Sequence, residues 1–223
     1  MPPNFHVKIS DRLLEQMTLA TAEAYVLGDG NHDIGLETLG YIWGHRIIRD
    51  EGNEIFFHLD RASISISAIR NQDWVQPNQT ALHLKNAIVT RWAPEVTLLG
   101  DFHSHPYSDF ATVQAIQGWQ FSDSDIQYFL ENNDTWELAE NNPIMVAMTI
   151  CKMGAVHGNV FGDMQQSNVF RFDIGEFRFW INVIAGWLDN KGARQHTPNI
   201  HSSVFLDMIK FFNEAGDRLE FGQ

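Results

Sequence analysis

Leu98-Leu99-Gly100-Asp101-Phe102-His103-Ser104-His105-Pro106 is the stretch from which the rest of the chain can be read. The apolar run Val96 to Leu99 predicts a buried strand leading straight into two histidines spaced i, i+2. Side chains two apart on an extended backbone share a face, so both imidazoles can reach one ion. Pro106 is expected to stop the strand. Two imidazoles at a rigid strand end are a common beginning for a zinc site. Zinc also needs a third protein ligand and, for catalysis, a position open to water.

Working outward, the order of elements predicts an α/β or α+β fold, a mixed β-sheet flanked by helices. Upstream, Ser10 reads as the N-cap of a helix over about Asp11–Tyr25, with Leu13, Leu14, Met17, Ala20, Thr21 and Ala24 as its buried stripe. Gly28-Asp29-Gly30-Asn31 ends it as a loop. Leu39 to Trp43 reads as a strand with Glu37 at its entrance, and Gly40 and Gly44 suggest close backbone approach. Asp50-Glu51-Gly52-Asn53 is a turn, so Tyr41–Ile48 and Ile55–Ile66 form a hairpin. A polar loop around Asn71 to Pro77 leads to a helix over about Gln79–Trp92, capped by Asn78 and closed by Pro94.

Downstream, Tyr107 to Phe121 shows no clear period. Ser122-Asp123-Ser124-Asp125 then opens a helix continued by Ile126, Phe129 and Leu130. Ile144 to Ile150 is a buried strand, and Val169 to Val183 supplies one or two more. Val204, Phe205, Met208, Ile209 and Phe212 predict a last amphipathic helix, capped by Ser202 or Ser203.

The chain has 223 residues, enough for one domain with an extension. Cys151 is the single cysteine, so a Cys-rich zinc site and an internal disulfide are both excluded. The first ten residues carry no apolar signal core and no segment approaches a membrane span, so a cytosolic, cytoplasmic setting is expected. A formal net charge of −13, from 15 basic and 28 acidic residues, disfavours nucleic acid as a partner.

Asp125 is the best candidate for the third ligand. It sits in the first turn of the helix after the histidine strand, where its carboxylate could point back at the strand end. Asp109 and Asp123 compete with it. Glu37, at the mouth of a separate strand, is placed to act as a general base.

Glu37-x-x-Gly40-x-x-x-Gly44, then His103-Ser104-His105-Pro106, then Ser122-x-x-Asp125 resembles the JAMM (MPN+) metalloprotease family. The similarity covers roughly residues 5 to 160. It implies a JAMM/MPN domain over 1–175, with residues 176–223 as an extension packed on it. It also implies zinc held by His103, His105 and Asp125, Glu37 as general base, and Ser122 stabilising a tetrahedral oxyanion. Family members typically cleave peptide or isopeptide bonds at the C-terminal tail of ubiquitin or a ubiquitin-like protein. The implied fold is similar to that of the cytidine deaminases. Compact members occur in bacteria and archaea, some in conjugation and antiphage operons, and a bacterial-type isopeptidase is the expectation here. Asp125 lies twenty positions after His105, farther than the family pattern places it, so residues 107–121 read as an insertion beside the site.

Rival readings fit less well. A metallo-β-lactamase-like site wants an aspartate where Tyr107 stands. A zinc deaminase needs paired cysteines, and an amidohydrolase barrel is larger, about 250 residues. A non-catalytic MPN-type scaffold would have lost ligands that this chain retains. A peptidase for unrelated small peptides is the alternative among enzymes. His45, His157, His196 and His201 read as surface or core residues, and Cys151 as a small packed one.

Overall fold

The structure is a computed structural model that describes residues 2–27, 35–70, 75–157, 162–200 and 203–208. The expected loop at Gly28–Asn31, part of the polar loop (71–74), His201, Ser202, Ile209 and Phe212 lie outside these residues. In chain order the elements are β1 (Asn4–Ile9), α1 (Asp11–Val26), β2 (Leu39–Arg49), β3 (Glu54–Ile64), β4 (Ile69–Arg70), β5 (Val75–Gln76) and α2 (Gln79–Trp92). Then follow β6 (Thr97–Asp109), α3 (Phe110–Ile116), α4 (Asp123–Glu131), α5 (Asn133–Leu138), β7 (Ile144–His157), β8 (Gly162–Gln166), β9 (Val169–Leu188), β10 (Arg194–His196) and β11 (Val204–Asp207).

Among the described residues, nine strands form one mixed sheet in the order β10-β9-β7-β6-β2-β3-β1-β11, with β8 paired to β9. The pairs β6–β7, β1–β3 and β1–β11 are parallel. The sheet curls until its ends meet. Leu206 N–H donates to Ser167 O at 2.8 Å, and Phe5 packs on Trp187 at 5.9 Å. Inside the curl lies the main core, built from alternate residues such as Phe5, Phe57, Phe102, Val146 and Ile181 and covered by Leu13 and Met17 of α1. Ser10 caps α1 by accepting from Leu13 N–H at 3.3 Å. The opposite face of β2, β6 and β7 is covered by α2, α4 and α5 through Leu82, Phe129 and Trp136.

The histidine strand sits in mid-sheet, between β2 and β7. Its aim is set by a bulge, because Ile42 pairs with Gly100 whereas Trp43 pairs with Leu98. Leu99 and Phe102 therefore share the main core while Leu98 faces α2. Asp101, His103 and His105 follow at the spacing that keeps one face. Gly100 fits because β7 comes so close: a Cβ there would lie 1.8 Å from Ile144 O. Gly44 meets the same constraint, 2.0 Å from His58 O.

Three expectations are corrected. Pro106 does not end the strand, which continues to Asp109. Ser104 N–H points to Thr38 O at 2.9 Å, so the nitrogen two residues on faces the same side, where β2 has already ended. A missing N–H costs nothing there. The hairpin's second strand stops at Ile64 rather than Ile66, which is exposed. Val204–Asp207 is a strand and not the start of a helix. Pairing with β1 buries Val204 and Leu206 and leaves Phe205 and Asp207 outside, a period of two that tertiary pairing imposes on an ambiguous short run. β9 continues past residues 175 and 176, with Gly175 at φ 59° where its register against β7 shifts.

Replacing Gly100 with alanine should lower the unfolding free energy by about 2 kcal/mol or more, because the new methyl meets backbone that cannot move aside. Denaturant titration measures this. Unchanged stability would contradict the close approach of β6 and β7.

Candidate metal centre

His103 and His105 are almost fully buried, 4% and 7% exposed. Their Nε2 atoms lie 3.0 Å apart. Asp125 reaches them from the first turn of α4, with Oδ1 at 3.4 Å from His103 Nε2 and Oδ2 at 3.4 Å from His105 Nε2. One ligand atom from each residue fits within 4.8 Å of the others, and this group could hold a metal ion. Asp109 and Asp123 are exposed and lie outside it. Asp109 instead caps α3, accepting from Thr112 N–H at 2.8 Å and from Ser108 at 2.8 Å.

Local chemistry places Asp125. Ser122 is the N-cap of α4 and forms a reciprocal capping box with it. Ser122 N–H and Oγ–H both donate to Asp125 Oδ2 at 2.7 Å, and Ser122 Oγ accepts from Asp125 N–H at 3.2 Å. The serine that caps the helix thus also fixes the carboxylate. Its hydroxyl lines the cleft, yet its proton is turned toward Asp125 or Ser124. An oxyanion role would require that hydroxyl to turn outward.

Glu37 is brought to the same place by the residue between the histidines. Ser104 N–H donates to Thr38 O at 2.9 Å, and Thr38 N–H donates to Ser104 Oγ at 2.9 Å. This pair pins the segment entering β2 against β6. Glu37, Ser122, Asp125 and His105 line one cleft of about 340 Å³. Its other walls include Tyr107, Ile116 and Phe121, so the aperiodic stretch 107–121 folds beside the site, with α3 at its centre.

Asp101, two residues before His103 and 1% exposed, belongs to the same face and was passed over in the sequence. Burial pushes its carboxyl up to about 6, against the opposing pull of His103. Tyr128 Oη–H donates to its Oδ2 at 3.3 Å, and Asn132 Nδ2 donates to Tyr128 Oη at 2.7 Å. The alternation 101, 103, 105 was the signal that could have found it. Cys151 packs with Val113, Val169 and Trp180, and burial raises its thiol to about 12, so it is no nucleophile.

Charge binds the centre together. Burial alone would lower His103, but Asp125 beside it, with help from Glu37 and Asp101, raises it to about 9. The two imidazoles hold Asp125 well below the usual carboxylate range despite its own burial. In metal-free protein the contribution of protonated His103 is complete below its ordinary value of 6.5 and is lost as pH rises toward about 9. Metal-free wild type should therefore lose stability between those values relative to Asp125→Asn, as followed by urea unfolding. Parallel pH profiles for the two proteins would contradict the pairing.

No family model matches the chain, and no curated protein matches it. Among solved structures, the N-terminal domain of STIL from Trichoplax adhaerens aligns at a TM-score of 0.35 and 8% identity. The alignment covers 88% of this chain and 58% of that one, so the chain spans little more than half its length. A likeness this loose carries no argument about fold family or chemistry.

Proposed function

We propose that the chain is a zinc-dependent hydrolase of the JAMM type, cleaving peptide or isopeptide bonds at the C-terminal tail of a ubiquitin or ubiquitin-like protein. The observation that carries this reading is the meeting of His103, His105 and Asp125 from two separate elements, with Glu37 on the wall of the same cleft. Two imidazoles and one carboxylate are a donor set that suits zinc and leaves a position open. The same set suits Fe(II) in oxygenases, and the buried carboxylate of Glu37, 8% exposed, favours the hydrolytic alternative because hydrolysis needs a proton carrier. The helix-flanked mixed sheet accords with a JAMM/MPN domain. That no described helix is long and apolar enough to cross a membrane accords with a cytoplasmic enzyme.

Zinc, when bound, supplies Lewis acidity that polarises a scissile carbonyl and makes water more acidic. Glu37 takes a proton on its carboxylate as the water attacks, and returns it to the departing amine nitrogen. Ser104 and Thr38 hold Glu37 in place for both transfers. Ser122 holds Asp125, and a turn of its hydroxyl into the cleft would let it donate to the developing oxyanion.

The cleft lining bears on the substrate. Among the described residues it carries the carboxylates of Glu37 and Asp125, the amides of Gln117 and Gln120, and no lysine or arginine. Apart from the metal itself, phosphoesters and free terminal carboxylates would meet no cationic side chain among the described lining residues. An amide inside a chain, or an isopeptide, fits that electrostatic setting better.

Purified protein should contain about one zinc per chain, lost in His103→Ala and Asp125→Ala. Glu37→Gln should keep its zinc yet hydrolyse a fluorogenic amide of the ubiquitin tail about 10²-fold or more slowly. Iron in place of zinc, or full turnover in Glu37→Gln, would sink the proposal.

A further inference from the structure

The segment that joins the two halves of the metal centre is held from the other end of the chain. Residues 118–122 serve a ligand at each end. At one end, Gly118 O accepts from Thr149 Oγ–H at 2.9 Å and faces His105 Nδ1 at 3.4 Å. At the other, Ser122 caps α4 and fixes Asp125. Between them the backbone is gripped by side-chain amides. Asn182 Nδ2 donates to Trp119 O at 3.1 Å. Asn199 closes a two-way clasp on Phe121, accepting from its N–H at 2.8 Å and donating to its carbonyl at 3.0 Å.

These amides also hold one another. Asn182 Nδ2 donates to Asn199 O at 3.1 Å, and Asn168 Nδ2 donates to Asn182 Oδ1 at 3.0 Å and to Asn199 O at 2.9 Å. Asn168 and Asn182 are fully buried. Such groups are costly to bury unless their hydrogen bonds are made. Here the amides end either on the insertion or on backbone and amides that support the grip. The insertion is shaped to receive them. α3 ends at Gln117 in the left-handed region, φ 53°, and Gly118 then passes under Tyr107, whose ring would lie 2.6 Å from a Cβ. That turn delivers the Gly118 carbonyl to His105.

We infer that Asn182 and Asn199, backed by Asn168, are positioning residues for the metal centre. Through residues 118–122 they set the ring of His105 from one side and the carboxylate of Asp125 from the other. The insertion and the C-terminal part of the chain thereby act as one support for the ligands. This rests on the reading of His103, His105 and Asp125 as a metal site. Partners behind the ligands commonly govern metal affinity about 10- to 100-fold.

The test uses metal-free protein titrated with zinc against a chromophoric chelator, and with cobalt followed by its visible absorption, which reports coordination geometry. Asn199→Ala and Asn182→Ala should each weaken zinc about tenfold or more and alter the cobalt spectrum. Asn199→Asp, which keeps the acceptor for Phe121 N–H, should fall between Asn199→Ala and wild type. Val204→Ala, a core truncation on β11, should lower thermal stability while leaving zinc affinity unchanged, so loss of stability alone cannot imitate the effect. Should the alanine variants fail to fold, Thr149→Val makes the same test by removing the hydroxyl behind the Gly118 carbonyl. Zinc bound as tightly by the asparagine and threonine variants as by wild type would overturn the inference. A wild type that binds no zinc would overturn the metal-site reading itself.

Discussion

Two imidazole nitrogens 3.0 Å apart, with a carboxylate 3.4 Å from each, cannot all present lone pairs to one another without something positive between them. That constraint organises the molecule. A proton on His103 would satisfy it, and a divalent cation would let all three groups contribute. Much of the fold can be read as the means of holding this electrostatically demanding arrangement. A strand in mid-sheet fixes the two histidines, and a helix start supplies the carboxylate.

The devices that place the ligands are ordinary folding devices put to a second use. The bulge at Gly100 separates Leu98 and Leu99 into different cores and aims Asp101, His103 and His105 at one face. The capping box that starts α4 also orients Asp125. Ser104, buried between the histidines, ties Glu37's segment to the same strand. Each device costs little more than the fold would require without a site. Together they produce a pocket in which Glu37, His105 and Asp125 share one wall.

How far this was legible in the sequence depended on whether the controlling interaction was local. α1, α2 and α4 were readable because a capping residue precedes an apolar period in each, at Ser10, Asn78 and Ser122. His103, His105, Asp125 and Glu37 were readable by pattern and by resemblance; the first three meet in one group, and Glu37 shares a cleft wall with His105 and Asp125. β1 carries a period of two in Phe5, Val7 and Ile9, but a run this short takes its place only from pairing with β3 and β11. β11 could not be told from a helix, since its geometry comes from pairing with β1, two hundred residues away in sequence. The path of residues 107–121 was invisible for the same reason. Its shape is fixed by Thr149, Asn182 and Asn199, and buried asparagines announce nothing by spacing.

The proposed site is a single zinc centre open to solvent, held by two histidines and one aspartate. Zinc K-edge X-ray absorption of the loaded protein tests it most directly. Two imidazole nitrogens and a carboxylate oxygen are expected at about 2.0–2.2 Å, with a further light-atom ligand from solvent. Sulfur in the first coordination sphere, or a zinc ion without imidazole scattering, would contradict it.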